Sequence, residues 1–413
     1  MRRIASRIFA IVKQHKFPSL LIILMIAGGV WAIWPVNYSE APSLDGEGIY
    51  FMGGSQNPNR RGDVIFVHGL NGNYRTTWKS NETGFSWPEE LAREIPDVGV
   101  WSFSYDSAAS DWLGAAMPIV DRSKNFLSQI VAEKLGRGNT IFVVHSLGGL
   151  VVKQALMHAI TLRNDDFEEI ADNTKAVIFL GTPHTGSGVS NFMQAVSFGL
   201  RLSVNTEELG RNEAPLRDLN VLYRNNIPDL GIMNYGFFET KKIGFLWWSQ
   251  FVVDQGSADP GINNVTPIGI SANHFTICKP KSSKDLAYAS VRDIVNGKIS
   301  PNPPRFDISF EDFVSKFNEV RDDPEAMRMF VDQHVGQKVT WKATIQNVNP
   351  GGKQPSLTIS TRSGTVQRDF VTAVFSRLRY PGLAIGSPVT IEGAIGKATD
   401  DLGVVIIDCR LAK

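Results

Sequence analysis

At 413 residues, with 43% hydrophobic and 20% charged positions, the chain can bury a large core and holds enough length for two domains, which excludes a disordered tail or a disulfide-stapled miniprotein. A net charge of +1 excludes the strongly basic balance that advertises a nucleic-acid partner. The two cysteines, Cys278 and Cys409, lie far apart and match no metal-ligand spacing, so no metal is expected and the redox compartment stays open.

The chain opens with Arg2, Arg3, Arg7, Lys13 and Lys16 ahead of any acidic residue, and 17–39 is then uncharged. This uncharged segment, with its apolar core 20–34, is long enough to cross a hydrocarbon core of roughly 30 Å at about 1.5 Å per residue. Trp31 and Trp34 stand where an interfacial aromatic belt would sit. We therefore expect residues 1–40 to be a basic flank and an uncleaved single-pass anchor. Its N-terminus would be cytoplasmic and the rest of the chain would lie across the membrane. A cleaved signal peptide is the competing reading, although no clear A-x-A site ends the run. Residues 41–60, within a Pro-, Gly-, Ser- and Asn-rich stretch, read as a linker.

From 61 to 300 the pattern alternates strands with helical stretches, which predicts a doubly wound, mostly parallel α/β sheet. The run Asp63–Val67 is an apolar strand that ends in His68-Gly69-Leu70-Asn71-Gly72. Residues 98–105 read as the next strand and 118–135 as a helix. The segment 140–156, T-I-F-V-V-H-S-L-G-G-L-V-V-K-Q-A-L, reads as strand, tight turn and helix around Ser146. Such a turn lifts a serine hydroxyl out of the backbone above a helix N-terminus, the arrangement of a nucleophile elbow. Residues 176–187, with His184, form another strand with a glycine-rich exit. The insertion 188–227, carrying Phe192, Phe198, Leu200 and Leu202, falls where a lid would lie, and 241–248 pairs Lys241 and Lys242 with aromatics that could meet lipid.

A serine needs a histidine to take its proton and a carboxylate to orient that histidine. Of seven histidines, chain order and position leave His274 as the base. His15, His68 and His145 come too early, His158 falls in the helix after Ser146, His184 precedes any suitable acid, and His334 lies in the C-terminal region. For the acid we expect Glu239, at the end of the strand in 231–240. Asp254 is the alternative, with a turn residue bonding its own backbone as its other reading, and Asp259 stands third. The amides of Leu70 and Leu147 are expected to form the oxyanion hole.

The motifs H-G-L-N-G, H-S-L-G-G-L-V-V-K-Q-A-L and F-L-G-T-P-H-T-G-S together resemble the α/β-hydrolase family over about 61–280. More narrowly they resemble the lipase-like "serine active site containing" proteins and the GPI inositol-deacylases. The resemblance implies ester hydrolysis or acyl transfer, often on lipids, with no cofactor, and it also favours Glu239 in G-F-F-E-T. One departure stands out: Val144 occupies the first glycine position of G-x-S-x-G, where it is expected to crowd the turn. That departure motivates the alternative reading, a degenerate hydrolase scaffold whose second domain is a binding module.

Residues 301–413 form the second domain. Pro301, Pro303 and Pro304 mark a linker, 308–330 reads as a helix with Phe310, Phe313 and Phe317 on one face, and five β-rich runs follow. They predict a small five-stranded barrel of OB type, and its opening and closing motifs resemble the tRNA-anticodon-like group. From Val335 onward there are ten Lys/Arg against five Asp/Glu, with Trp341, Phe370, Phe375 and Tyr380 available to stack bases. A domain across a membrane from the cytoplasm meets little RNA, so nucleic acid is not the expected partner; a protein or saccharide ligand stays open. The expected partners of the whole chain are an ester substrate, a lipid ester among them, and a membrane.

Overall fold

The computed structural model describes residues 46–107, 119–184, 213–245, 248–299, 308–320, 322–349, 356–360, 371–374, 384–396 and 404–411. It divides into two compact units, the first ending at Ser300 and the second running from Pro301 to Lys413. The expected anchor at 20–34 and the lid residues Phe192, Phe198, Leu200 and Leu202 lie outside the described residues. Among the described residues no helix is long and apolar enough to cross a membrane.

The first unit is built on seven strands: β1 (Gly48–Gly54), β2 (Asp63–Val67), β3 (Gly99–Ser104), β4 (Thr140–His145), β5 (Thr174–Leu180), β6 (Met233–Glu239) and, after a short hairpin of β7 (Ile243–Phe245) and β8 (Trp248–Gln250), β9 (Ile268–Ile270). The sheet order is β1-β3-β2-β4-β5-β6-β9. β1 alone runs antiparallel to its neighbour, and every other pairing is parallel. β2, β3 and β4 are buried at every position, because a parallel sheet takes helices on both faces.

Alternation along β4 sends its side chains into two cores. Phe142 and Val144 join the layer of α2 (Ile119–Ala132), α3 (Leu147–Thr161), α4 (Asp165–Asn173) and α5 (Glu213–Asn226). Ile141 and Val143 join the opposite layer with α1 (Trp87–Glu94) and α6 (Leu286–Lys298). Each such buried apolar side chain contributes about 1.5–3 kcal/mol relative to exposure.

The expected linker over 41–60 is not all tether. Its apolar centre, Ile49-Tyr50-Phe51-Met52, forms β1, which pairs with β3 from Gly48↔Ser104 to Gly54↔Gly99 through a bulge. Composition concealed the strand, since glycines at both ends made a four-residue apolar run look like loop.

The second unit carries α7 (Phe310–Val320) and α8 (Pro324–Asp332) where one helix over 308–330 was expected. The break has a local cause. Pro324 has no N–H with which to continue a helix, and the Asp323 carboxylate caps the new one by accepting from the N–H groups of Glu325 and Ala326. Five strands, β10 (Lys338–Asn349), β11 (Ser356–Ser360), β12 (Val371–Val374), β13 (Pro388–Ile395) and β14 (Val404–Leu411), close into a barrel in the order β10-β11-β12-β14-β13. Trp341 is no stacking platform. It is 1% exposed, with Phe310 at 4.9 Å and Phe313 at 4.8 Å between ring centroids, and its indole N–H donates to the Ile308 carbonyl. Phe370, Phe375 and Tyr380 lie outside the described residues.

Candidate active site

Ser146 sits between β4 and α3 with φ 54° and ψ −122°, a conformation that L residues seldom adopt. Two contacts hold it there. The Ser146 N–H donates to the Leu180 carbonyl at the end of β5, and the Gly149 N–H donates to the Ser146 carbonyl. The helix can start so close to the sheet only because its first turn is glycine. A Cβ on Gly148 would lie 2.4 Å from the Val67 carbonyl oxygen and 2.5 Å from that of His68; one on Gly149 would meet Thr182 Oγ1 at 2.2 Å. Val144 does not crowd this turn as expected. It points into the α2–α5 layer and is fully buried there, and the close approach at Gly148 is to the β2 backbone.

The loop after β2 folds back on itself. Gly72 N–H donates to the Gly69 carbonyl, Asn71 takes a left-handed φ of 51°, and the Asn71 N–H donates to the Ser107 carbonyl. A Cβ on Gly69 would lie 2.7 Å from Ser146 Cβ, which places half-buried Leu70 next to the serine's own approach. Leu147 is the first residue of α3, so its N–H has no carbonyl within its own helix to meet. His68 works as a support under this loop: its ring stacks on Tyr105 at 4.5 Å and its carbonyl accepts from the Tyr105 hydroxyl.

His274 Nε2 lies 3.0 Å from Ser146 Oγ, and both residues are buried. On the far side of the ring, His274 Nδ1 is 3.5 Å from Glu239 Oε2, a loose contact of the kind that tightens when substrate binds. Glu239 is 1% exposed, and its other oxygen accepts from the Val253 N–H. Gly181, at φ 56°, leaves the space these two side chains fill: a Cβ there would sit 3.2 Å from His274 Nδ1 and 3.3 Å from Glu239 Oε2.

Asp254 lies elsewhere. It is exposed, and Oδ1 accepts from the Ser257 N–H at 2.8 Å, a turn residue bonding its own backbone. Asp259 does the same for Gly261. The remaining described histidines have other surroundings: His158 bonds Ser123, His334 bonds the Phe330 carbonyl in the second unit, and His184 is buried against Phe179. Burial, and then the nearby Lys153 amine, push the His184 ring well below the usual imidazole range. The expected lipid-contact segment forms the β7–β8 hairpin, with Lys242 Nζ 5.5 Å from the Phe251 ring. The Val253 amide that steadies Glu239 had no signal in the sequence, because a main-chain donor can be carried by almost any residue type. Among the described residues no group of three His, Cys, Asp or Glu side chains could hold a metal ion.

Residues 61–211 match the family model described as "Putative serine esterase (DUF676)". Protein SERAC1 of Danio rerio is 30% identical over 283 residues, which cover 61% of this chain and 42% of the relative. The protein of the same name from Homo sapiens is 29% identical over 250 residues, covering 55% and 38%. The chain thus spans about two fifths of the length of these curated relatives. Among solved structures, lipase BlEst2 of Bacillus licheniformis in its mature form is 18% identical with a TM-score of 0.42, covering 61% of this chain and 98% of that one. The mostly parallel sheet with one antiparallel edge strand, and the serine between β4 and α3, are an α/β-hydrolase-like arrangement.

Proposed function

We propose that the first unit is a serine carboxylic ester hydrolase working through Ser146, His274 and Glu239. In this reading Ser146 Oγ attacks the ester carbonyl while His274 Nε2 takes its proton. Glu239 holds the Nδ1–H tautomer and stabilises the imidazolium, and the Leu70 and Leu147 amides receive the oxyanion. His274 then returns the proton to the leaving alcohol, and a second alcohol or water, activated by the same nitrogen, releases the acyl group. No cofactor is required by these steps. The observation that carries the reading is the 3.0 Å approach of His274 to Ser146 with a buried carboxylate behind it.

A lipid ester is the substrate class we favour, on the apolar N-terminal segment 20–34, which would hold the enzyme on a bilayer with the catalytic unit on the far side. The barrel's ligand is left open by the polar outer face of β10, where Lys338, Thr340 and Lys342 alternate with buried residues. The degenerate-scaffold alternative rested on Val144, and nothing around that buried side chain favours it.

The test is labelling of the full-length protein in detergent with a fluorophosphonate, followed by turnover of short p-nitrophenyl esters. Labelling should vanish in Ser146→Ala, and turnover should fall by about 10⁴-fold or more in Ser146→Ala and His274→Ala. Labelling that persists in Ser146→Ala, or turnover indifferent to His274→Ala, would overturn the assignment.

A further inference from the structure

His145 immediately precedes the nucleophile, and chain order excludes it as the base. Its side chain is nonetheless 7% exposed and directed at the base's own residue: Nε2 lies 2.9 Å from the His274 carbonyl oxygen, and the two ring centroids are 5.0 Å apart. A carbonyl only accepts, so Nε2 of His145 carries the hydrogen and donates it. Burial above all, then the neighbouring His274, push the His145 ring well below the usual imidazole range, so it stays neutral with that one N–H in place.

The turn that carries His274 is closed by hydrogen bonds of its own. Asn273 Oδ1 accepts from the N–H groups of Phe275 and Thr276, the Asn273 N–H donates to Thr276 Oγ1, and the Ile277 N–H donates to the Asn273 carbonyl. These bonds fix the shape of the turn, and the Lys241 N–H on the Ala272 carbonyl together with buried Ala272, Ile277 and Cys278 seat it on the α1–α6 layer; none of these contacts involves the Ser146 elbow. β9, which leads into it, is only three residues long and sits at the sheet edge. The 2.9 Å bond from His145 joins the last residue of β4, one peptide from the nucleophile, to the main chain of the base itself.

We propose that His145 is a positioning residue that sets the Ser146–His274 distance by holding the His274 main chain against the elbow. The inference rests on the serine-hydrolase reading above. In this reading His145 acts through the place it gives the base, by way of the His274 carbonyl. A displacement of about 1 Å at a reacting pair costs on the order of 100-fold in rate, so the bond matters to kcat far more than to substrate binding.

The experiment measures Ser146 phosphonylation rate, kcat and KM for a p-nitrophenyl ester, and melting temperature in full-length wild type, His145→Leu, His145→Gln and His145→Asn. Glutamine puts an N–H donor near the Nε2 position, whereas asparagine places its amide near Nδ1, too short to reach the carbonyl. We expect His145→Leu to lower kcat and the phosphonylation rate about ten-fold or more with KM nearly unchanged, His145→Gln to recover most of that loss, and His145→Asn to resemble leucine. If leucine destabilises the fold, the Gln/Asn pair, both polar, still decides by rate. Equal rates for Gln and Asn, or wild-type rates in His145→Leu, would overturn the proposal. Failure of the wild-type protein to label at Ser146 would instead overturn the hydrolase reading, so the two failures are told apart.

Discussion

The two arms that meet at the site are held by different means. On the nucleophile side, Ser146 is wedged by close packing: Gly148 against the β2 carbonyls, Gly149 against Thr182, and Ser146 N–H on Leu180. On the base side, Glu239 ends β6 and His274 stands on the turn after β9, and main-chain hydrogen bonds help to place both, from Val253 N–H to the Glu239 carboxylate and from the His145 ring to the His274 carbonyl. The first arm tolerates almost no added volume, and the second almost no lost donor. Each arm therefore has its own way of failing.

The largest effect should come from the second arm. Glu239→Gln keeps the shape of the side chain and can still accept from Val253, but it removes the charge that stabilises the imidazolium and permits the wrong His274 tautomer. We expect kcat to fall by about 10⁴-fold with the melting temperature nearly unchanged. Steady-state kinetics beside a thermal melt checks this, and a loss below ten-fold would return the acid's role to another carboxylate. Gly148→Ala tests the first arm. Its Cβ would meet two main-chain oxygens at 2.4 and 2.5 Å, neither of which can move without the strand. A destabilisation of about 3 kcal/mol, read by urea denaturation, is expected with loss of labelling. If the variant is as stable as wild type, close packing is not what holds the elbow.

A subtler probe lies on the buried face of the nucleophile helix. Lys153 is fully buried, its Nζ donating to Asn220 Oδ1 at 2.6 Å and standing 4.9 Å from the Tyr223 ring centroid. Burial pushes its pKa well below the usual lysine range. The unfolded chain then binds a proton that the folded chain does not, so below the unfolded lysine pKa stability falls as pH falls, down to the folded value. Lys153→Met removes that slope, although it leaves the Asn220 oxygen without its donor. Between pH 10 and pH 7 the variant should gain on wild type by at most about 1.4 kcal/mol per pH unit, measured by chemical denaturation across that range. Parallel pH profiles for the two proteins would mean that Lys153 stays charged in the fold.

The difference between the arms also explains what the sequence made legible. Close packing leaves a signature in residue types, and H-S-L-G-G announced the elbow because only glycine fits at Gly148 and Gly149. The alternation of β-branched runs announced β2 to β5 in the same way. Hydrogen bonds from main-chain donors leave none, so the Val253 amide was invisible, and Glu239 was preferred to Asp254 by its place at a strand end and by resemblance. β1 was missed because its four apolar residues sit between glycines and read as linker. The split of one expected helix into α7 and α8 was written in Asp323-Pro324, a cap and a helix breaker together, but the apolar spacing on either side masked it.

Asp254 sharpens the comparison most finely, because it belongs to the second arm without touching His274. Its carboxylate accepts from Ser257 N–H, and the Ala258 N–H donates to its carbonyl, so it closes the turn that begins beside Val253. Ser257 in turn offers its carbonyl to the His184 N–H, which ties that turn to the exit of β5. Asp254→Asn retains an acceptor and should be close to silent. Asp254→Ala frees the turn, at a cost of about 1 kcal/mol of stability, and by loosening the Val253 amide should lower kcat only a few-fold. Were Asp254 the acid, both substitutions would abolish turnover and Glu239→Gln would not. The ratio of kcat in Asp254→Asn to that in Glu239→Gln therefore separates a carboxylate that orients the imidazole from one that shapes the loop beneath it, and it does so between two variants that each keep the side chain's size.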